Sequence, residues 1–173
     1  MLFRSARRFC EWINSKRLSG RELGIEEARE GEAWEVRLAE EWEWEYAARG
    51  PEGRWLPWME RAGKGGAAPK AEGSWLEGRC NWSESGIGSP SAVGMYPSGR
   101  SWCGVEDMIG NVWEWTATPW GSSPDGIRGE PSGMDDSEVA RVLRGGSWGI
   151  VAPEGLRCAA RFVRSEEHTS ELQ

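Results

Sequence analysis

Positive charge is in short supply: 21 lysines and arginines stand against 28 aspartates and glutamates, a formal net charge of −7. Phosphate binding wants a basic face, so nucleic acid is not an expected partner. Long hydrophobic runs are missing as well. No stretch approaches the ~20 apolar residues of a membrane span, and the opening MLFRSARRFCEW lacks the apolar block of a signal peptide. The cytoplasm is therefore the default compartment. The chain has one histidine, His168, and four scattered cysteines, Cys10, Cys80, Cys103 and Cys158, with no CxxC pair. That excludes the common zinc sets and leads us to expect buried reduced thiols, with a disulfide between two of them as the alternative. GKGGAAPK at 63–70 lacks the Gly-Lys-Ser/Thr of a phosphate-binding loop.

What the chain has is tryptophan, thirteen of them, and 24 glycines within 173 residues. Tryptophan buries much apolar surface with few rotatable bonds, and glycine supplies turns and positive φ. The length suits one domain with a proper core. Together these features predict a loop-rich α+β domain.

Residues 5–18, SARRFCEWINSKRL, put Ala6, Phe9, Cys10 and Ile13 on one helical face, with Ser5 as the cap. Residues 37–50, RLAEEWEWEYAARG, alternate like a strand, yet Trp44, Ala47 and Ala48 share a helical stripe. Acidic residues at its start, Arg49 at its end and Gly50 beyond favour the helix. Residues 59–75 and 117–138 read as loops. EVARVLRGGSW predicts a strand over Ala140–Arg144 that enters a tight Gly-Gly turn.

The segments RLAEEWEWEYAARG, GRWLPW, CNW, VGMYPSG, EDMIGNVWEWT, RVLRGGSW and LRCAAR follow one another in an order that resembles the formylglycine-generating-enzyme, or sulfatase-modifying-factor, family. The resemblance implies a loop-rich, C-type-lectin-like α+β fold. It has two departures. Ala39-Glu40 stand where the family has Pro-Thr, which removes the expected helix cap, and the GFR strand that closes the domain after the AAR element is missing. The domain is accordingly expected to span 1–163 and to be truncated at its C-terminus, and at its N-terminus too, where the family has a strand before the first helix. RSEEHTSELQ at 164–173 matches the in-frame translation of a common short-read sequencing adapter, so this segment and His168 are expected to be non-native.

Formylglycine generators oxidise a cysteine with copper held by two thiolates, a soft pair suited to Cu(I). The resemblance places that pair between the GGS turn and the AAR element, where this chain has GIVAPEG; Cys158 falls at a non-ligand position. No copper and no catalysis are expected. The alternative remains a formylglycine-generating-type oxidoreductase or another family enzyme.

The family also contains variable proteins of diversity-generating retroelements, which recognise a protein or other macromolecular ligand through this segment. Copying an adenine-rich template with its adenines randomised leaves NNC codons. On that pattern, Trp148 belongs to the constant part of the face, while Gly149, Ile150, Val151, Gly155, Ala160, Phe162 and Val163 are its variable positions, all reachable from NNC. The plainer alternative is that these residues are only turn and strand.

The resemblance further implies a calcium cage from the side chains of Asp107 and Glu114 and the carbonyls of Gly110 and Val112, hard oxygen donors suited to Ca²⁺. The structural alternative has Asp107 capping a turn, Asn111 satisfying backbone groups, and Trp113 and Trp115 packing. Arg144, Arg157 and Arg161 are expected to bind loop carbonyls and buried carboxylates, a role on the ligand being the alternative. Glu41 and Glu45 are expected to act as surface ion-pair partners on the helix.

Overall fold

The computed structural model describes residues 3–25, 34–59, 75–121 and 140–165. Helix α1 spans Phe3–Ser15 and α2 spans Glu41–Arg49; strands β1, β2 and β3 span Glu114–Pro119, Arg141–Arg144 and Phe162–Arg164. The expected loops at 59–75 and 117–138 lie largely outside the described residues. Residues 117–119 are the end of β1, not loop.

Helix α1 begins earlier than the sequence predicts, so Ser5 lies within it and caps nothing. It buries Phe3 and Cys10, while Phe9 of the predicted apolar face is exposed and stacks on Trp12 at 5.8 Å. The helix touches the sheet at its N-terminal end, where Phe3 meets Trp115 edge-on at 5.7 Å.

Helix α2 obtains its cap from elsewhere in the fold. Thr118 of β1 accepts the Glu41 N–H at 2.9 Å and donates its hydroxyl to the Glu40 carboxylate at 2.6 Å. Glu43 accepts the Glu40 N–H at 2.8 Å, and Arg37 holds Glu43 in place with two 2.7 Å bonds. The Glu40 and Glu41 amides at the helix start are thus satisfied without the Pro-Thr sequence.

The sheet is antiparallel in the order β1-β2-β3, with Glu114 opposite Arg144, Trp115 opposite Leu143, and Val142 opposite Val163. The register shifts between Trp115 and Pro119. Strand β3, directly after the AAR element, pairs with the edge of β2 that β1 leaves open. Arg164 at the end of β3 pairs with Arg141. Residues 166–173, with His168, lie outside the described residues.

The core joins Trp44 and Ala48 of α2 to Leu56, Leu76, Cys80, Trp82, Met108, Ile109, Leu156 and Cys158. Eight of these ten come from connecting segments. That is how a chain with little regular structure builds an interior, and tryptophan does only part of it: Trp12, Trp42, Trp102 and Trp120 remain well exposed.

Candidate functional site

Strand β2 ends in Gly145-Gly146, with φ of 85° and 78°. A side chain at Gly146 would meet Leu156 at 2.6 Å as well as being strained, so the turn demands glycine. The chain then crosses a loop fixed from outside: the Trp148 N–H donates to the Asn111 carbonyl at 2.9 Å, and the Ser83 N–H to the Ile150 carbonyl at 3.3 Å. A short 3-10 turn over Pro153–Leu156 buries Leu156 completely, and the Cys158 N–H donates to the Trp55 carbonyl at 3.0 Å.

Both ends of this segment meet on α2. Arg144, fully buried, reaches Glu41 at 3.2 Å, Glu45 at 2.6 Å and the Cys158 carbonyl at 2.7 Å. Arg161 grips the Glu41 carboxylate with two bonds of 2.6 and 2.7 Å. Stacking adds to this: Arg144 on Trp44, Arg157 on Trp55 and Arg161 on Trp120. Burial pulls the Arg144 guanidinium below its ordinary value, while Glu45 and Glu41 counter that pull. Arg144 therefore takes the carbonyl- and carboxylate-binding role and Arg161 the carboxylate-binding one, whereas Arg157 stacks on Trp55. Glu41, however, is sealed from solvent and is no surface partner.

The proposed face is mixed. Gly149, Val151 and Val163 are exposed, Val151 at 74% and Val163 at 48%. Trp148, Ile150, Gly155 and Phe162 are half-buried; Ile150 packs on the core and Phe162 meets Trp113 at 4.4 Å. Ala160 does not face outward. The Arg157–Ala160 turn, closed by the Ala160 N–H on the Arg157 carbonyl, puts it in the interior at 6% exposure.

The 107–114 loop lies against the same frame. Asp107 and Asn111 have positive φ, 55° and 58°, unusual for residues with side chains. Asp107 accepts the Gly94 N–H at 2.8 Å, and Asn111 accepts the Ser91 N–H at 2.9 Å, so both do the backbone-satisfying work of the structural reading. Trp113 and Trp115 pack on Phe162 and Phe3. Glu114 accepts Trp44 Nε1–H at 2.5 Å. Burial raises its carboxyl to about 7, the Trp44 bond opposes the rise, and the charge of Asp107 adds to it. No described cation pairs with Glu114. A desolvated carboxylate near a second one suits a hard cation, and the donor set of Asp107, Glu114 and the Gly110 and Val112 carbonyls fits calcium chemically. No group of three or more His, Cys, Asp or Glu side chains suited to a metal occurs among the described residues, so such a cage depends on those carbonyls.

The four cysteines are free thiols. Cys10, Cys80 and Cys158 are buried, but Cys103 is exposed, its Sγ 3.4 Å from Ser101 Oγ, against the expectation of burial. Burial drives Cys80 and Cys158 up to about 12, which keeps both thiols protonated. Sequence reasoning missed two features: the role of Thr118, and a cleft of about 520 Å³ between α2 and the 105–114 loop, where Trp44, Met108 and Glu114 meet.

A short antiparallel sheet on one capped helix, with a core drawn mainly from loops, defines the α+β, C-type-lectin-like class. The chain belongs to the sulfatase-modifying-factor family: the sulfatase-modifying factor enzyme 1-like domain matches residues 1–171. It is 39% identical over 142 residues to the hercynine oxygenase of Mycolicibacterium thermoresistibile, covering 73% of this chain and 28% of that protein. It is 36% identical to the inactive C-alpha-formylglycine-generating enzyme 2 of Mus musculus, covering 67% and 33%. To the formylglycine-generating enzyme of Mycobacterium tuberculosis it is 34% identical, covering 76% and 46%. The chain thus spans less than half the length of each of these relatives. Among solved structures, PvdO from Pseudomonas aeruginosa matches with a TM-score of 0.65 at 23% identity, covering 96% of this chain and 55% of that one. Treponema denticola variable protein 1 matches at 0.54 and 24%, covering 75% and 42%. Both likenesses concern the fold alone. No helix among the described residues is long and apolar enough to cross a membrane.

Proposed function

We propose that this chain is a non-catalytic, ligand-binding member of its family, a variable target-recognition protein that presents the segment after the Gly-Gly turn to a macromolecular partner. The observation that carries this reading is the separation of frame from face. Arg144, Leu156 and Cys158 are completely buried, while Gly149 and Val151 between them face solvent. Change at such exposed positions leaves a core undisturbed, which is the condition diversification requires. The face consists of Gly149, Val151 and Val163, with Trp148, Ile150, Gly155 and Phe162 as its half-buried rim and Ala160 behind it. Calcium on Asp107, Glu114 and the carbonyls of Gly110 and Val112 would brace the loop whose Asn111 carbonyl holds Trp148.

The second reading, an oxidoreductase, draws on relatives named hercynine oxygenase and formylglycine-generating enzyme. Against it, no cysteine lies between Gly145 and Leu156, and the thiol nearest that segment, Cys158, is buried and protonated.

Sequencing the gene's surroundings tests the proposal. A nearby template repeat should differ from the 141–164 coding region only at adenines, with the differences concentrated in the codons of the exposed positions Gly149, Val151 and Val163. Variation spread evenly over the region, or copper-dependent oxidation of a sulfatase-type cysteine peptide by the protein, would overturn it.

A further inference from the structure

We infer that Glu41 is a positioning residue for recognition: one buried carboxylate anchors both ends of the segment and holds the face between them in a single conformation. The inference rests on the recognition reading above and adds the device that pre-organises the site.

Arg144 and Arg161 stand on either side of the Gly-Gly turn, the exposed loop and the 3-10 turn. Their guanidinium groups nevertheless converge on one side chain, Arg144 on Glu41 Oε1 at 3.2 Å and Arg161 on Oε1 and Oε2 at 2.6 and 2.7 Å. Glu41 can receive them because it faces inward from α2 and is fully buried. Its N–H is held by Thr118 of β1, so the anchor is itself tied to the sheet. A paired arginine fork fixes direction as well as distance. A loop clamped in this way needs little ordering when a partner arrives, and ordering is a main cost of association.

The two ends are not equally secured. Arg144 keeps Glu45 and the Cys158 carbonyl if Glu41 is neutralised. Arg161 donates to no other acceptor among the described residues and retains only its stacking on Trp120, at 5.2 Å. Loss of the Glu41 charge should therefore release the segment from its C-terminal end, through 157–164, where Phe162 and Val163 belong to the face.

Hydrogen–deuterium exchange on the whole chain tests this. We expect Glu41→Gln and Arg161→Gln each to speed exchange of the 157–164 amides at least tenfold, while the α1 amides keep their rates. The double variant should exchange no faster than the faster single one, because both remove the same clamp. Arg161→Lys, which keeps a charge facing Glu41, should restore part of the protection. Unchanged exchange at 157–164, a uniform rise across all elements, or additive effects in the double variant would overturn the inference. If Glu41→Gln does not fold, Arg161→Gln and Arg161→Lys decide it, since Arg161 is partly exposed and Glu41 retains Arg144. Exchange needs no ligand, so failure here is distinct from failure of the recognition reading, which the codon pattern decides.

Discussion

Glu114, at the start of β1, sets a charge against burial. Its carboxyl is raised to about 7 by desolvation, with only an indole N–H to oppose the rise. A group whose folded value lies above its unfolded value binds its proton more tightly when folded. Its contribution to stability is therefore full below about 4.5 and is lost as pH rises through about 7. We predict that, in chelator, stability falls between these limits by an amount on the order of 2–3 kcal/mol, and that Glu114→Gln flattens this fall. Denaturant unfolding at several pH values measures both. Under the calcium proposal, Ca²⁺ at pH 8 raises the melting temperature of the native chain and leaves Glu114→Gln unmoved.

At the scale of elements, α2 was legible and its surroundings were not. The Trp44/Ala48 stripe, Arg49 and Gly50 announce a helix whatever the cap. One part of the cap is local, Glu43 on the Glu40 N–H, but the other comes from Thr118, 77 positions after the amide it accepts, and no local pattern reports such a partner. Glu-Trp-Glu-Trp-Glu likewise puts charge on several faces; which carboxylate is buried is decided by arginines about a hundred residues further on. Strand β3 is three residues long and follows the AAR element directly, too short to show an alternating pattern, and Ala160 is assigned outward by a codon pattern that carries no information on burial, whereas the Arg157–Ala160 turn puts it inside. Thr118→Val removes an acceptor from Glu41 and a donor from Glu40 at a buried site. We expect a loss of about 1–3 kcal/mol by denaturant unfolding, with Thr118→Ser recovering most of it.

Across the whole molecule, the architecture divides labour. Tryptophans, buried arginines and a helix capped in part by the sheet hold a loop-built core, and Gly149, Val151 and Val163 stand exposed beside it. The family motifs RGGSW and GNVWEW made the class readable from sequence, whereas the line between face and core depended on individual burial. Six of the seven candidate positions therefore fall into two sets. Gly149, Val151 and Val163 should tolerate change; Ile150, Ala160 and Phe162 should not, because each packs on the core, on another ring or within the interior.

Thermal melting of two triple variants tests this separation most directly. With Gly149→Ser, Val151→Asn and Val163→Asn combined, the account predicts a melting temperature within about 3 °C of the native chain, as for substitutions away from core and caps. With Ile150→Asn, Ala160→Asn and Phe162→Asn combined, it predicts a fall of 10 °C or more, on the order of several kcal/mol, from lost packing and buried unpaired amides. A comparable fall in the first variant would show that the exposed residues belong to the core, and would contradict the separation of face from frame on which the proposed function stands.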